Sequence, residues 1–217
     1  MIKHLIGAAT ALLVSSSAFA QEPSDLASRD FSYLNPSTVW KYGTGVVTDR
    51  FSLSPFLGMQ DNCEGAEAFD CFSDAFGALG VNNRTKVSAT TAYVLPLNDL
   101  ILVPRDATKD VLVSFRAPRA GTFTFTGYYR LLGAVPTGVS PRIFVGGKEV
   151  TAEAFGEPTP VVLSGPGGDL TTKKTGQQKG FTFTRELNAF DFVTFGLSPN
   201  GNPAGDATGF DVLAVMQ

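Results

Sequence analysis

Histidine is almost missing from this chain, which has a single one, His4, among its 217 residues. His4 lies in a segment with the parts of an export signal: Lys3, an apolar stretch over residues 5–14 and a small-residue cleavage site at 18–20. We predict that residues 1–20 are removed, which leaves no imidazole to carry protons near neutral pH. The Ser-His-Asp and Cys-His types of enzyme, which need that imidazole, are therefore excluded.

Long apolar runs are also missing. The stretch over residues 5–14 is too short to span a bilayer, and polar serines follow it at 15–17. The alternative to a signal peptide is a buried N-terminal helix. We expect an exported chain, periplasmic or extracellular, without a transmembrane segment after cleavage.

Cysteine is scarce, with only Cys63 and Cys71 in the whole sequence. Zinc and other late transition metals prefer imidazole or thiolate ligands, and two cysteines alone make a poor set. In an exported protein the pair is better interpreted as a disulfide. It would fix a surface excursion over residues 55–83, which is otherwise costly to order.

Neither sign of charge dominates. Without Lys3, the 17 basic residues fall to 16 against 20 acidic ones, a formal charge of −4. The nearest basic group, Lys173, Lys174 and Lys179, lies in the polar, glycine-rich stretch 164–180, which we interpret as a solvated loop. Nucleic-acid binding needs a basic face that displaces phosphate counterions, so no nucleic-acid partner is expected.

What the chain does contain is short alternating segments. Thr122, Thr124 and Thr126 alternate with Phe123 and Phe125, which places hydroxyls and aromatic rings on opposite faces of a strand. About ten such segments, separated by glycine and proline turn signals, predict short antiparallel strands. The fold class is therefore all-β: a leader over residues 21–29, then a single jelly-roll-like β-sandwich domain over 30–217.

The order of several motifs resembles the jelly-roll β-sandwich domains of secreted bacterial proteins that are similar to carbohydrate-binding modules. The matching residues are Asn35-Pro36, Trp40 and Tyr42-Gly43, then Val113, Phe115, Ala117-Pro118, Ala120 to Thr124 and Gly127, then Val145 to Gly147, then Phe181, Phe183, Leu187, Asp191, Val193 and Phe195, and finally Asp206 and Thr208 to Asp211. The resemblance covers most of residues 31–215. It implies a polysaccharide or cell-surface glycan as ligand, and it marks residues 55–83 as an insertion.

The resemblance also implies a structural calcium ion. In such domains an acid of the last strand joins an acid near the N-terminus, and here Asp211 and Asp30 take those places. Calcium is satisfied by carboxylate, carbonyl and water oxygens. The alternatives are that Asp211 caps a turn or pairs with an arginine.

Aromatic side chains are the candidates for sugar binding, because an apolar ring face stacks on a sugar while a polar edge stays wet. They are Trp40, Tyr42, Tyr128 and Tyr129. Adjacent strand residues point in opposite directions, so one of Tyr128 and Tyr129 is interior. Trp40 has the alternative of filling the middle of the sandwich.

Three functions stay open at this point. The first is non-catalytic glycan binding, and the second is a structural or adhesive role at the cell surface or matrix. The third is a histidine-independent polysaccharide hydrolase or lyase that uses paired carboxylates, or a tyrosine with a lysine or arginine. No carboxylate pair stands out for it, and the acids that cluster within residues 55–83 are of a kind that is usually a solvated edge: Asp61, Glu64, Glu67, Asp70 and Asp74.

Overall fold

A computed structural model of the chain describes residues 24–32, 39–46 and 53–217. The predicted signal peptide, residues 21–23 of the leader and the Asn35-Pro36 turn lie outside these residues. Within the described residues no helix is long and apolar enough to span a bilayer.

The described residues form sixteen strands, a five-residue α-helix and a 3-10 turn. The strands are β1 (Ser24–Leu26), β2 (Trp40–Gly45), β3 (Ser54–Pro55), β4 (Met59–Gln60), β5 (Phe69–Ser73), β6 (Gly77–Asn82), β7 (Ser88–Ala89), β8 (Val94–Leu95), β9 (Leu100–Pro104), β10 (Asp110–Arg116), β11 (Gly121–Leu131), β12 (Ser140–Val145), β13 (Lys148–Glu149), β14 (Gln178–Leu187), β15 (Phe192–Ser198) and β16 (Thr208–Met216). The helix α1 is Thr151–Phe155 and the 3-10 turn is Cys63–Gly65.

Two antiparallel sheets make up the domain. The larger has the order β14-β11-β16-β9-β6-β5-β4, with β1 added alongside β16, and the smaller has the order β13-β12-β15-β10-β2-β3. Strands β7 and β8 form a separate two-stranded hairpin. The predicted β-sandwich is confirmed, with additional strands of two or three residues that are too short to show an alternating pattern.

The core between the sheets is largely aromatic. The Phe115 ring of the smaller sheet lies 5.5 Å from Phe123 and 5.3 Å from Phe125 of the larger one, measured between ring centroids. Phe195 likewise meets Phe181 at 5.6 Å. Fully burying one such ring contributes roughly 2 to 3 kcal/mol, so these contacts fix how the sheets face each other. The predicted alternation is confirmed, because Phe123 and Phe125 are buried and Thr126 is exposed.

Residues 55–83 are more than a surface excursion. Strands β5 and β6 pair with each other and β6 pairs with β9, which makes both of them strands of the larger sheet. Their side chains are buried on both faces, so the sequence lacks the period of two that marks a half-exposed strand. The interpretation of these residues as a surface excursion missed both strands for this reason.

A second apolar cluster covers the outer face of β5, β6 and β9. It joins Phe69 and Ile101 of the sheet to Cys63 of the 3-10 turn and to Tyr93 beside the β7–β8 hairpin. The predicted disulfide between Cys63 and Cys71 is confirmed and attaches this cover to β5. The outer face of the larger sheet is therefore covered on this half, while β11 and β14 keep exposed residues on theirs.

Candidate functional site

Threonines line the open half of the larger sheet. The Thr124 hydroxyl of β11 lies 3.0 Å from that of Thr184 in β14, and the same distance joins Thr126 to Thr182. These pairs face outward because the alternating phenylalanines of both strands face the core. The result is a row of hydroxyl pairs on the surface of the sheet.

Tyr128 continues this row. It lies two residues beyond Thr126 on the same face, opposite Gly180 of β14 and Asp211 of β16. A Cβ atom added to Gly180 would have the Gly127 carbonyl oxygen, 3.6 Å away, as its nearest neighbour. The sheet surface beside the Tyr128 ring is therefore open on the β14 side.

Asp99 holds Tyr128 and Arg130 in place. Its buried carboxylate accepts a hydrogen bond from the Tyr128 hydroxyl at 2.9 Å through Oδ1. It also accepts two from the Arg130 guanidinium, at 2.6 Å from Nε and 2.5 Å from Nη2. A bidentate arginine–carboxylate pair fixes both partners in position and orientation. The Arg130 guanidinium also lies 5.2 Å from the Tyr128 ring centroid, within reach of a cation–π interaction.

Gly209 makes room for this arrangement. A Cβ atom at that position would lie 2.3 Å from Oδ2 of Asp99 and 3.1 Å from Cγ of Arg130. Only a residue without a side chain allows the ion pair to pass over β16. The Thr208-Gly209 sequence is thus linked to the placement of Asp99.

Burial shifts the pKa values of both Asp99 and Tyr128. Burial raises the pKa of Asp99, against the hydrogen bonds and charge of Arg130. Burial, followed by the charge of Asp99, also raises the pKa of Tyr128 well above its ordinary value. A hydroxyl that donates to Asp99 and resists ionisation is a poor proton acceptor at neutral pH. The geometry therefore does not support Tyr128 as the base of a lyase.

A cleft of about 470 Å³ opens beside Arg130. One wall comes from the loop around the β7–β8 hairpin and the other from the loop that precedes β14. Its lining residues are Val87, Pro96, Leu97, Arg130, Lys173, Lys174 and Thr175. The cleft extends the surface that begins with the threonine row and Tyr128.

Three of the four predicted ring platforms lie in the core instead. Trp40 packs edge-on against Phe115 at 5.3 Å, and Tyr42 stacks on Phe72 at 6.2 Å. Tyr129 is fully buried, and its hydroxyl donates to the Gly196 carbonyl oxygen at 3.3 Å. Because all three face inward on their strands, no ligand reaches their ring faces. Tyr128 is the candidate that the structure leaves partly exposed.

Asp211 caps a turn, as one of the sequence alternatives allowed. Its carboxylate accepts hydrogen bonds from the Ser28 amide at 3.0 Å, the Ser28 hydroxyl at 2.8 Å and the Val212 amide at 2.9 Å. Asp30 accepts from the Leu26 amide and from the Arg29 guanidinium, each at 2.8 Å. The carboxylate oxygens of both acids are engaged, and the positively charged Arg29 lies against Asp30. The two acids therefore do not fit a calcium ion. Within the described residues, no three His, Cys, Asp or Glu side chains are grouped for a metal.

The acids of residues 55–83 are engaged separately. Glu64 pairs with Arg105, Glu67 with Arg84, Asp70 with Asn83 and Asp74 with Thr44, while the fifth acid, Asp61, is exposed. None of these contacts joins two of the acids into the carboxylate pair that a glycosidase needs. A cavity of about 580 Å³ lies beside Glu64 and Glu67, with small and polar side chains and no aromatic ring in its lining. It is less suited to a sugar than the Tyr128 surface.

The sequence interpretation missed Asp99, Arg130, Gly180 and Gly209. Arg130 had a usable signal, because it continues the outward alternation of Thr126 and Tyr128. Asp99 lies 31 residues before Arg130, and nothing in the sequence pairs the two.

No family model and no curated protein matches the chain. Among solved structures it is similar to a family 35 carbohydrate binding module from Clostridium thermocellum, with 15% identity, a TM-score of 0.33, and coverage of 62% of this chain and 86% of that one. It is also similar to CBM35 from Paenibacillus barcinonensis, with 13% identity, a TM-score of 0.27, and coverage of 61% of this chain and 87% of that one. A CBM29-2 mutant complexed with cellulohexaose has 13% identity, a TM-score of 0.29, and coverage of 82% of this chain and 92% of its own. TM-scores this low do not establish a shared fold, so the fold is assigned from the two sheets described above.

Proposed function

We propose that this protein is an exported, non-catalytic glycan-binding protein, and that it binds a polysaccharide across the open face of its larger sheet. The observation that carries the proposal is the outward Tyr128 ring, which Asp99 and Arg130 hold in place between a hydroxyl row and a cleft. The Cys63–Cys71 disulfide supports export, because such bonds persist in oxidising compartments.

The surface offers the two kinds of contact that a sugar needs. A pyranose ring has an apolar C–H face, which packs on an aromatic ring, and hydroxyls at its edge, which need hydrogen-bond partners. Tyr128 supplies the ring, while Thr126, Thr182 and the exposed Gln178 of β14 supply the partners. Because Tyr128 is already fixed, little conformational entropy is lost when a sugar binds.

The row of hydroxyl pairs also makes the proposed binding surface long enough for more than one sugar. Successive outward residues of a strand lie about 6.7 Å apart, so Thr124, Thr126 and Tyr128 span about 13 Å. This exceeds a single sugar ring. The proposed ligand is therefore a chain of sugars that lies along β11.

The first test is a binding screen of the mature protein against a polysaccharide panel, followed by Tyr128→Ala. A ligand that binds the native state raises the melting temperature, so a thermal shift reports binding. We expect Tyr128→Ala to lower affinity for the bound glycan by about tenfold or more, because it removes the stacking ring.

Phe190→Asn is the matched control. Phe190 is also an exposed ring, and asparagine tolerates its positive φ of 73°. Loss of binding in the Phe190 variant, with full binding by Tyr128→Ala, would place the ligand elsewhere. No binding to any polysaccharide would overturn the proposed function.

A further inference from the structure

We propose that the bound glycan is acidic, and that a uronic-acid carboxylate enters the cleft beside Lys173, Lys174 and Arg130. This inference rests on the proposed function and adds the class of sugar. It is supported by how the loop over residues 164–177, called the lysine loop below, is held, by the pairing of the charges around it and by the apolar side chains in the lining of the cleft.

The lysine loop is attached to the end of β11 at two points. The Gly168 amide donates to the Gly133 carbonyl oxygen and the Gly176 amide to that of Leu131, each at 2.8 Å. A Cβ atom at Gly168 would lie 2.3 Å from the Leu132 carbonyl oxygen, and one at Gly176 would lie 2.2 Å from the carbonyl oxygen of Pro166 in the same loop. Gly168 therefore allows the loop to lie against the end of β11, and Gly176 allows the two ends of the loop to approach each other.

Hydrogen bonds also order the turn that carries the lysines. Asp169 and Lys174 exchange backbone hydrogen bonds of 2.9 and 3.2 Å. The Asp169 carboxylate accepts the amides of Thr171 and Thr172, at 2.9 and 3.1 Å. Lys173 has a φ of 56°, in the left-handed region, as part of this turn. The position of both lysines beside the cleft is thus a property of the fold.

The charges of the cleft are unevenly paired. Arg130 is neutralised by Asp99, whereas Lys173 and Lys174 make no salt bridge with any residue of 24–32, 39–46 or 53–217. Asp169 is the nearest acid on the loop, and its pKa is lowered first by its hydrogen bonds to Thr172 and only last by Lys174. Six other basic side chains of the described residues are already engaged, in the pairs Arg29–Asp30, Arg84–Glu67, Arg105–Glu64, Arg142–Asp110, Lys179–Glu157 and Arg185–Glu153.

The loop around the β7–β8 hairpin contributes apolar residues to the lining of the cleft: Val87 and Leu97, which are partly exposed, and the buried Pro96. A uronic acid combines an apolar ring face with a carboxylate attached directly to the ring. It therefore matches a cleft that is lined both by apolar side chains and by lysines without a salt bridge. After loss of Lys3 the chain has a formal charge of −4, so net charge does not attract an anion and the attraction has to come from a local group of cations.

The test compares three polymers: polygalacturonate, a neutral galactan and dextran sulfate. We expect the wild-type protein to bind polygalacturonate most tightly, and the affinity to fall as salt rises because the lysines are exposed. Lys173→Ala/Lys174→Ala lowers the affinity for polygalacturonate by about tenfold, the loss expected for two exposed ion pairs. Its affinity for the neutral galactan stays unchanged.

Lys109→Ala/Lys148→Ala is the control, since it removes the same charge outside the cleft. Equal losses in both double variants, or equal binding of dextran sulfate, would show attraction by net charge alone and overturn the inference. Tighter binding of neutral polymers, still lost in Tyr128→Ala, would overturn the acidic ligand and leave the proposed function standing. No binding to any of the three polymers would overturn the acidic ligand, and no binding across the whole polysaccharide panel would overturn the proposed function as well.

Discussion

The Tyr128 hydroxyl donates a 2.9 Å hydrogen bond to Oδ1 of Asp99, the residue immediately before β9, which is only 1% exposed. This bond joins the one partly exposed candidate ring to a buried ion pair. Tyr128 therefore has a fixed place on the sheet surface, which a stacking platform for a sugar requires.

Substitution of Gly209 and of Gly180, on the two sides of this site, is expected to have opposite effects on stability. Gly209→Ala places a methyl group 2.3 Å from the Asp99 carboxylate, so it displaces the ion pair and destabilises the fold by about 1 to 3 kcal/mol. Gly180→Ala brings its methyl group no closer than 3.6 Å, to the Gly127 carbonyl oxygen, and is neutral or stabilising by up to about 1 kcal/mol, since glycine weakens a strand. Urea denaturation of both variants checks this, and equal stability of the two contradicts the role of Gly209.

Asp211 and Asp169 are expected to change the pH dependence of stability in opposite directions. Burial raises the pKa of Asp211 above its ordinary 3.8, whereas hydrogen bonds to Thr172 lower that of Asp169. The native state holds the Asp211 proton more tightly than the unfolded state, so this group makes the free energy of unfolding fall as pH rises from about 3.8 through the raised pKa. Asp169 acts the other way, because its contribution is present above 3.8 and is lost as pH falls through its lowered pKa.

Denaturation of Asp211→Asn and Asp169→Asn between pH 3 and pH 7 separates the two effects. Relative to wild type, Asp211→Asn removes a decrease in stability with rising pH, and Asp169→Asn removes an increase. Slopes that change in the same direction in both variants would refute the assignment.

The disulfide is expected to matter for stability but not for ligand binding. Cys63 and Cys71 are eight residues apart, and closing so short a loop stabilises the native state by about 2.5 kcal/mol in the chain-entropy model. Cys63→Ser/Cys71→Ser should lose that amount in denaturation, because the bridge holds the cover of the β5–β6 half. Glycan affinity at a temperature where the variant is folded should stay at the wild-type level, and a matching loss of affinity would speak against the Tyr128 face.

Calcium should leave the melting temperature unchanged. A cation that binds only the native state raises that temperature, but the oxygens of Asp211 and Asp30 already accept hydrogen bonds from Ser28 and Arg29. Thermal melts in millimolar calcium and in chelator provide the measurement. A higher melting temperature in calcium that disappears in Asp211→Asn would restore the calcium site that the sequence resemblance implied.

The sequence predicted what depends on local alternation. Phe123 and Phe125 face the core as expected, and the same period places Tyr128 outside and Tyr129 inside, a choice that the sequence interpretation left open. Cys63 and Cys71 were predictable from the small number of cysteines. These features depend on neighbours along a strand or on composition.

What the sequence did not predict depends on packing between distant segments. Strands β5 and β6 lack alternation because both faces are covered, and one of the covers is the disulfide loop itself. Asp99 meets Arg130 only because β9 and β11 both pair with β16. The need for glycine at position 209 follows from the contact between Asp99 and Arg130, so the sequence alone did not predict it either.

The most direct test of the Tyr128 surface leaves Tyr128 in place and obstructs the space beside it. The measurement is calorimetric titration of the best-binding polysaccharide into wild type, Gly180→Ala and Gly180→Trp. The account predicts equal affinity for wild type and Gly180→Ala, and a loss of about tenfold or more for Gly180→Trp, whose side chain covers the open surface next to the ring. Equal affinity in all three proteins would contradict binding at this face.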